Sequence, residues 1–131
     1  MSAFQTAHAF SGFSVDSIDA ARSFYRDVLG MDVSTNAMGF LELRLAGDAM
    51  ILVYEKPDHT PAGFTILNFP VDDIDGAVDE LRAKGVETKI YSDAEFPTDD
   101  RGILRGGPDR GPDIAWFRDP AGNVLAVLRP A

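Results

Sequence analysis

The sequence contains no cysteine, two histidines and one tryptophan among its 131 residues. Without cysteine the chain can form no disulfide and offers no thiolate as nucleophile or metal ligand. Basic residues are also few, because 12 Lys and Arg stand against 21 Asp and Glu and leave a net charge of -9. This balance argues against a nucleic-acid partner and favours a cationic ligand, although an acidic surface also serves solubility alone.

Long apolar runs are absent as well. No run approaches the roughly 18 apolar residues that span a bilayer. The first ten residues, MSAFQTAHAF, lack the basic segment followed by an apolar stretch that marks a secretory signal. We therefore expect a soluble, cytoplasmic protein with no membrane partner.

One sequence pattern occurs twice. FSVDSIDAARSFYR begins at Phe13 and FPVDDIDGAVDELR begins at Phe69, and seven of the fourteen aligned residues are identical. Repetition at about half the chain length indicates an internal duplication. Because 131 residues are enough for one domain and few for two, we expect both copies to build a single domain over 1–131.

Each copy reads as a strand, a capped helix and three further strands. We predict module one over about 7–54, a linker over about 55–62 and module two over about 63–129. Ser17 and Asp73 are the predicted helix caps, and Gly30 and Gly85 the predicted helix ends. The predicted strands are 7–15, 31–35, 39–45 and 49–54, then 64–71, 86–91, 114–118 and 123–128. The predicted fold class is α+β, with two tandem βαβββ modules.

The modules differ over 92–112, where module two carries a long segment rich in proline, glycine and charged residues. Loops of this length in a compact domain are usually functional or mobile. The segment is either a lid over the site or a surface insertion held by Asp–Arg pairs.

Three stretches together carry a resemblance to a known superfamily: DSIDAARSFYRDVLGM, VDDIDGAVDELRAKGV and WFRDPAGNVLAVL. In these stretches the chain resembles the vicinal oxygen chelate superfamily. That superfamily includes glyoxalase I, extradiol dioxygenases, and fosfomycin and bleomycin resistance proteins. The resemblance covers nearly the whole chain and implies two βαβββ modules whose sheets curve around a cleft. In the family's enzymes, His or Glu side chains on the first and last strand of each module usually hold one metal in that cleft.

The resemblance places those four positions at Phe10, Ile51, Ile66 and Ala126. None of these side chains has an oxygen, nitrogen or sulfur atom that could ligate a divalent ion. We therefore expect no metal and no cofactor at the family's site.

The expected ligand site is instead apolar and aromatic. Strand alternation directs Phe10, Gly12, Ile66 and Asn68 to the face away from the helices, where a buried Asn68 amide would need a partner. Alternation also sends either Trp116 or its neighbour to that face. The candidate ligand-binding residues are Phe10, Gly12, Ile51, Val53, Ile66, Asn68, Trp116 and Ala126.

These observations favour a metal-independent protein that resembles the bleomycin-resistance branch and sequesters an amphipathic or cationic small molecule. The resemblance also implies a homodimer. The alternative is a glyoxalase-like lyase, isomerase or dioxygenase whose metal is absent or has moved, with His8, Glu55 and His59 as conceivable ligands. A third possibility is a structural or regulatory module whose cleft is filled by its own side chains.

Overall fold

The computed structural model describes residues 3–109 and 111–130. Contacts along the chain divide it into two compact units between His59 and Thr60, inside the predicted linker. Each unit holds one helical segment and one four-stranded mixed sheet. The predicted α+β class and the tandem βαβββ modules are therefore confirmed.

The elements of the first unit are β1 Ser11–Val15, α1 Ile18–Ser23, β2 Asp32–Thr35, β3 Leu41–Arg44 and β4 Met50–Glu55. Helix α1 continues directly into a π-helical segment, Phe24–Val28. Ser17 caps α1 by accepting a hydrogen bond from the backbone N–H of Ala20 at 3.2 Å, and Gly30 follows the helical segment with φ +73°. The sheet order is β1-β4-β3-β2, with β1 parallel to β4 and the other pairs antiparallel.

One face of this first sheet forms the core of the unit. Val53 pairs with Phe13 on β1 and with Leu41 on β3, which puts the three side chains on the same face. Tyr25 from the π-helical segment is fully buried, and its ring centre lies 5.8 Å from that of Phe13. Burial of apolar area, at roughly 25 cal/mol per Å², therefore holds the helical segment on this face.

The second unit repeats the arrangement. Its elements are β5 Thr65–Pro70, α2 Ile74–Ala83, β6 Ile103–Leu104, β7 Asp113–Arg118 and β8 Val124–Arg129. Its sheet order is β5-β8-β7-β6, again with the first pair parallel and the rest antiparallel. Asp73 caps α2 by accepting from the N–H of Gly76 at 3.0 Å, and Gly85 follows the helix with φ +85°.

The predicted strand over 86–91 is wrong. The fourth strand of the second sheet is the two-residue β6, which lies inside the segment predicted to be a long loop. Thr88 is buried and donates its hydroxyl to the carbonyl of Arg101 at 2.5 Å, while Lys89 Nζ donates to the carbonyls of Thr98 and Asp99 at 3.1 and 3.2 Å. Side-chain hydrogen bonds thus replace the ladder that local strand propensity suggested.

Both sheets use a turn organised by one side chain. Asn36 Oδ1 accepts from the N–H groups of Met38 and Phe40 at 2.9 and 3.0 Å in the turn between β2 and β3. Asp119 Oδ1 accepts from the N–H of Asn123 at 2.9 Å in the turn between β7 and β8. Such bonds fix the turn and so support the antiparallel pairing that follows.

Within residues 3–109 and 111–130, no helix has both the length and the apolar character needed to cross a membrane.

Candidate functional site

Strand register shows which positions of the two modules are equivalent. Gly12 on β1 pairs with Leu52 on β4, and Asn68, its counterpart in the repeat, pairs with Ala126 on β8. Leu52 is therefore the counterpart of Ala126, and the prediction that Ile51 holds this place is wrong. Counting from the turns misplaced the position by one residue, and one residue along a strand reverses the face to which a side chain points.

Ile51 and Val53 consequently lie on the helix-packed face of the first sheet, on the side of Phe13 and opposite Gly12. Both are buried core residues, and Val53 has no exposed surface. At Gly12 a Cβ would lie 3.1 Å from the carbonyl oxygen of Leu52, so the backbones of β1 and β4 pack closely there. Ile51 and Val53 therefore lie on the opposite face of the first sheet from Gly12 and do not share a site with it.

Phe10 and Ile66 are not positioned by regular strand pairing. Phe10 precedes β1, and its side chain is 61% exposed. Ile66 lies at an irregularity in β5, where Thr65 and Leu67 pair with successive residues of β8. An extra residue of this kind breaks the alternation on which the sequence prediction relied.

In the second unit, three predicted residues form one row across neighbouring strands. Asn68 pairs with Ala126, and Ala126 pairs with Trp116. Because strands lie about 4.8 Å apart, the row extends over roughly 10 Å. We call the face that carries these three residues the Trp116 face; Phe69 and Phe117, whose rings stack at 6.4 Å, lie on the opposite face.

The two ends of the row differ in exposure. Asn68 is exposed, so the prediction of a buried amide is wrong. Ala126 has no exposed surface and Trp116 is 8% exposed. The row therefore runs from an accessible amide, over a buried methyl group, to a covered indole.

Trp116 is covered by an aromatic cluster that we define as Tyr91, Phe96 and Trp116. The Phe96 ring stacks on the indole with centres 4.7 Å apart and an interplanar angle of 26°. Tyr91 meets both rings edge-on, at 4.9 Å from Phe96 and 5.2 Å from Trp116. Offset-stacked and edge-on contacts are the arrangements that aromatic pairs prefer.

A local turn presents Phe96 to the indole. The backbone N–H of Phe96 donates to the carbonyl of Ser92 at 3.0 Å, and the Ser92 hydroxyl donates to Glu95 Oε1 at 3.0 Å. Lys89 holds the same segment through Asp93 Oδ1 and Thr98 Oγ1, both at 2.8 Å. The segment therefore has its own internal bonds and does not depend on ladder pairing.

The chain after this turn is fastened to α2 by ion pairs. Arg105 donates to both carboxylate oxygens of Asp75, at 2.7 and 3.2 Å, and Arg101 binds Asp75 as well as Asp79 Oδ1, the latter at 2.7 Å. Hydrogen bonds from Arg105 and then Arg101 lower the pKa of Asp75 to about 2. Two guanidinium groups on one carboxylate favour its charged form, so the fastening persists at neutral pH.

The side chains of this chain do not fit the metal that the family resemblance implies. Leu52 and Ala126 offer no ligand atom, and in the described part of the chain no three His, Cys, Asp or Glu side chains are grouped so that they could hold an ion. Glu55 Oε1 accepts from the N–H of Ile18 at 3.1 Å, and His59 Nδ1 lies 2.6 Å from Ser14 Oγ. His8 is exposed and precedes β1.

An open pocket of about 430 Å³ also lies in the second unit, lined by Gly107, Pro108, Gly111, Asp113, Arg129 and Pro130. None of the predicted site residues lines it. Asp113 and Arg129 are cross-strand partners on β7 and β8, and Asp113 Oδ1 already accepts from the N–H of Gly106 at 2.8 Å. The Trp116 face, which gathers three predicted residues, is the stronger candidate.

Sequence reasoning missed Phe96. Its position in the segment 92–112 gave no strand or helix periodicity to interpret. The available signal was composition, because a phenylalanine among Ser, Asp, Glu and Pro in an acidic loop needs an apolar partner. Tyr91 is the last residue of the strand predicted over 86–91, and its ring belongs to the aromatic cluster.

Solved structures with the same fold include proteins of different stated roles. An antibiotic-binding protein from a Streptomyces strain is 22% identical, with a TM-score of 0.64 over 98% of this chain and 100% of its own. A lactoylglutathione lyase from Agrobacterium tumefaciens is also 22% identical, with a TM-score of 0.64 over 95% and 94%. A putative glyoxalase family protein from Bacillus anthracis is 19% identical, with a TM-score of 0.68 over 98% and 99%.

Among curated proteins there is no match. The sequence profile of the Glyoxalase/Bleomycin resistance protein/Dioxygenase superfamily matches residues 6–127, nearly the full length of the chain. The repeated strand and helix order, the two sheets and this match agree. The chain therefore belongs to the glyoxalase/bleomycin resistance protein/dioxygenase superfamily.

Proposed function

We propose that this chain is a small-molecule binding protein that holds an amphipathic or cationic organic ligand without a metal. The observation that carries the proposal is the row Asn68, Ala126 and Trp116 on one sheet face. The row combines an exposed hydrogen-bonding amide with a buried methyl group and a covered indole. Polar, apolar and aromatic groups of this kind make up the usual lining of an organic ligand site, which here opens when the cover over the indole is displaced. A ligand that spans it would have one polar end and one flat apolar end.

Charge supports the cationic part of the proposal. The chain carries a net charge of -9, which raises the local concentration of cations near its surface. Tryptophan is also the aromatic side chain that attracts cations most strongly over its ring face. Trp116 is therefore suited to a ligand that combines a positive charge with a flat apolar body.

Two equivalent strand positions lack side-chain atoms that could coordinate a metal, which favours ligand binding over metal-assisted chemistry. The superfamily's name covers glyoxalases, dioxygenases and bleomycin resistance proteins, and the similar structures include one named a lactoylglutathione lyase and one named an antibiotic binding protein. Leu52 and Ala126 occupy equivalent strand positions with hydrocarbon side chains. Sequestration needs no Lewis acid and is compatible with such residues.

Calorimetric titration with 9-aminoacridine, a planar cation, tests the proposal before and after dialysis of the protein against EDTA. We expect saturable binding whose affinity changes less than about twofold on chelation, because no metal contributes to the contact. Elemental analysis of protein purified without chelators accompanies the titration. Stoichiometric Zn, Ni, Fe or Mn, together with loss of binding after dialysis, would instead support the enzymatic alternative.

The proposal includes a cytoplasmic homodimer, as the sequence suggested. Light scattering at micromolar concentration should then give about twice the 14.2 kDa mass of one chain. A mass equal to one chain removes the dimer from the proposal but leaves ligand binding on the Trp116 face intact.

A further inference from the structure

Phe96 contacts the indole in the way that an aromatic ligand would. Its ring lies nearly parallel to that of Trp116, with the centres 4.7 Å apart. Phe96 is nevertheless 37% exposed, whereas Trp116 is only 8% exposed. A side chain that covers a partner while remaining partly in water has little packing on its other side, so it is displaced more easily than a core residue.

Resting on the proposed function, we infer that Phe96 occupies a stacking subsite for a planar aromatic group and that the ligand enters it by displacing the tip of the turn, residues 94–97, between the two residues that Lys89 holds. The structure therefore specifies the ligand class more narrowly than an apolar face alone. The group that replaces Phe96 must be flat, because the contact it replaces is a parallel stack.

The bonds of the segment separate a movable turn from fixed ends. Within the turn, local bonds join Ser92 to Glu95 and to Phe96, and Lys89 Nζ holds Asp93 and Thr98 near its two ends. On the far side, Arg101 is held by Asp75 and Asp79 of α2. Phe96 can leave the indole while these ion pairs remain, since none of the local bonds involves α2.

Tyr91 completes the subsite. Its ring meets the indole edge-on at an interplanar angle of 82° and meets Phe96 at 66°. Tyr91 thus forms a side wall of the stack, and a planar ligand in place of Phe96 would keep the same edge contact. A saturated polycyclic cation such as 1-aminoadamantane carries the same charge but has no aromatic ring to stack on the indole or to contact Tyr91.

The test compares wild type with Phe96→Ala, and uses Met38→Ala as a control that removes a 74% exposed apolar side chain from the first unit. Calorimetry measures binding of 9-aminoacridine and of 1-aminoadamantane, a saturated cation. Acrylamide quenching of Trp116, the sole tryptophan, checks that the indole has been uncovered. Circular dichroism and thermal unfolding check that each variant is folded.

We expect Phe96→Ala to bind 9-aminoacridine about two- to tenfold more tightly than wild type, the range that one aromatic pair represents. Met38→Ala should match wild type, and 1-aminoadamantane should bind more weakly than 9-aminoacridine to all three proteins. Equal or weaker binding of 9-aminoacridine by folded Phe96→Ala would overturn the inference while leaving the proposed function standing. Equal affinity for the two cations would overturn the aromatic class. Absence of binding by every variant would overturn both proposals.

Discussion

Gly102 packs directly against the carbonyl oxygen of Thr88, so closely that a Cβ at position 102 would overlap that atom. Its φ of +88° also lies in the region that side chains rarely adopt. The contact brings the chain just before β6 against the segment 86–91, which carries no ladder of its own. A single glycine thus permits the close approach of the two segments.

We therefore predict that Gly102→Ala lowers the free energy of unfolding by about 2–4 kcal/mol, from backbone strain and overpacking together. Chemical denaturation measures the change. The matched control is Gly63→Ala, because a Cβ at Gly63 meets no atom within 4 Å and its φ is not positive. A Gly102 variant as stable as the Gly63 variant would show that the segment shifts at little cost.

Asp75 should make stability depend on acid pH. Its pKa is about 2 in the folded chain, below the ordinary 3.8, because Arg105 and Arg101 donate hydrogen bonds to the carboxylate. A lowered folded pKa contributes stability that is fully present above about pH 4 and is lost as the pH falls toward 2. Thermal unfolding between pH 4 and 2 should show a smaller loss for Asp75→Asn than for wild type.

Asp48→Asn is the control for this measurement, because Asp48 is an exposed carboxylate in the turn before β4. Its acid profile should follow that of wild type. Parallel profiles for Asp75→Asn and wild type would mean that the ion pairs to α2 contribute nothing measurable in solution, as is common for exposed pairs.

The same substitution at two asparagines should separate binding from folding. Asn68 is exposed on the Trp116 face, so Asn68→Ala should change the free energy of unfolding by no more than about 0.5 kcal/mol. We expect the same substitution to lower the affinity for 9-aminoacridine several-fold. Asn36→Ala removes bonds to two backbone N–H groups and should cost about 1 kcal/mol of stability with unchanged affinity. The reverse result would assign Asn68 to the scaffold.

Trp116 combines folding and binding roles. Because the indole is only 8% exposed, Trp116→Ala should lower the free energy of unfolding by about 3–5 kcal/mol. Trp116→Phe keeps an aromatic ring, so it should lower the free energy of unfolding less than Trp116→Ala does. It should still lower the affinity for 9-aminoacridine. Denaturation and calorimetry on both variants give the comparison. Unchanged affinity in folded Trp116→Phe would show that the indole itself adds nothing to binding.

Several features followed from local chemistry and were predicted correctly. Ser17 and Asp73 accept hydrogen bonds from N–H groups three residues later, as short polar side chains before a helix commonly do. Gly30 and Gly85 adopt positive φ where the helices end. The repeat itself predicted that the second module would reproduce the order of strands and helix along the chain seen in the first.

The errors occurred where the outcome depends on distant partners. Whether Ile51 or Leu52 matches Ala126 is decided by pairing with β1, which the turn sequence does not encode. The burial expected for Asn68 failed for the same reason, since alternation assigns a face but not what covers it.

The sequence alone determined the doubled βαβββ order and the helix caps, because each depends on residue type and short spacing. Only the tertiary structure decided that β6 replaces the strand expected at 86–91 and that Phe96 covers Trp116. Both outcomes arise from contacts between residues far apart in the chain. Such long-range contacts outweigh the weak local propensity of these segments for strand or loop structure.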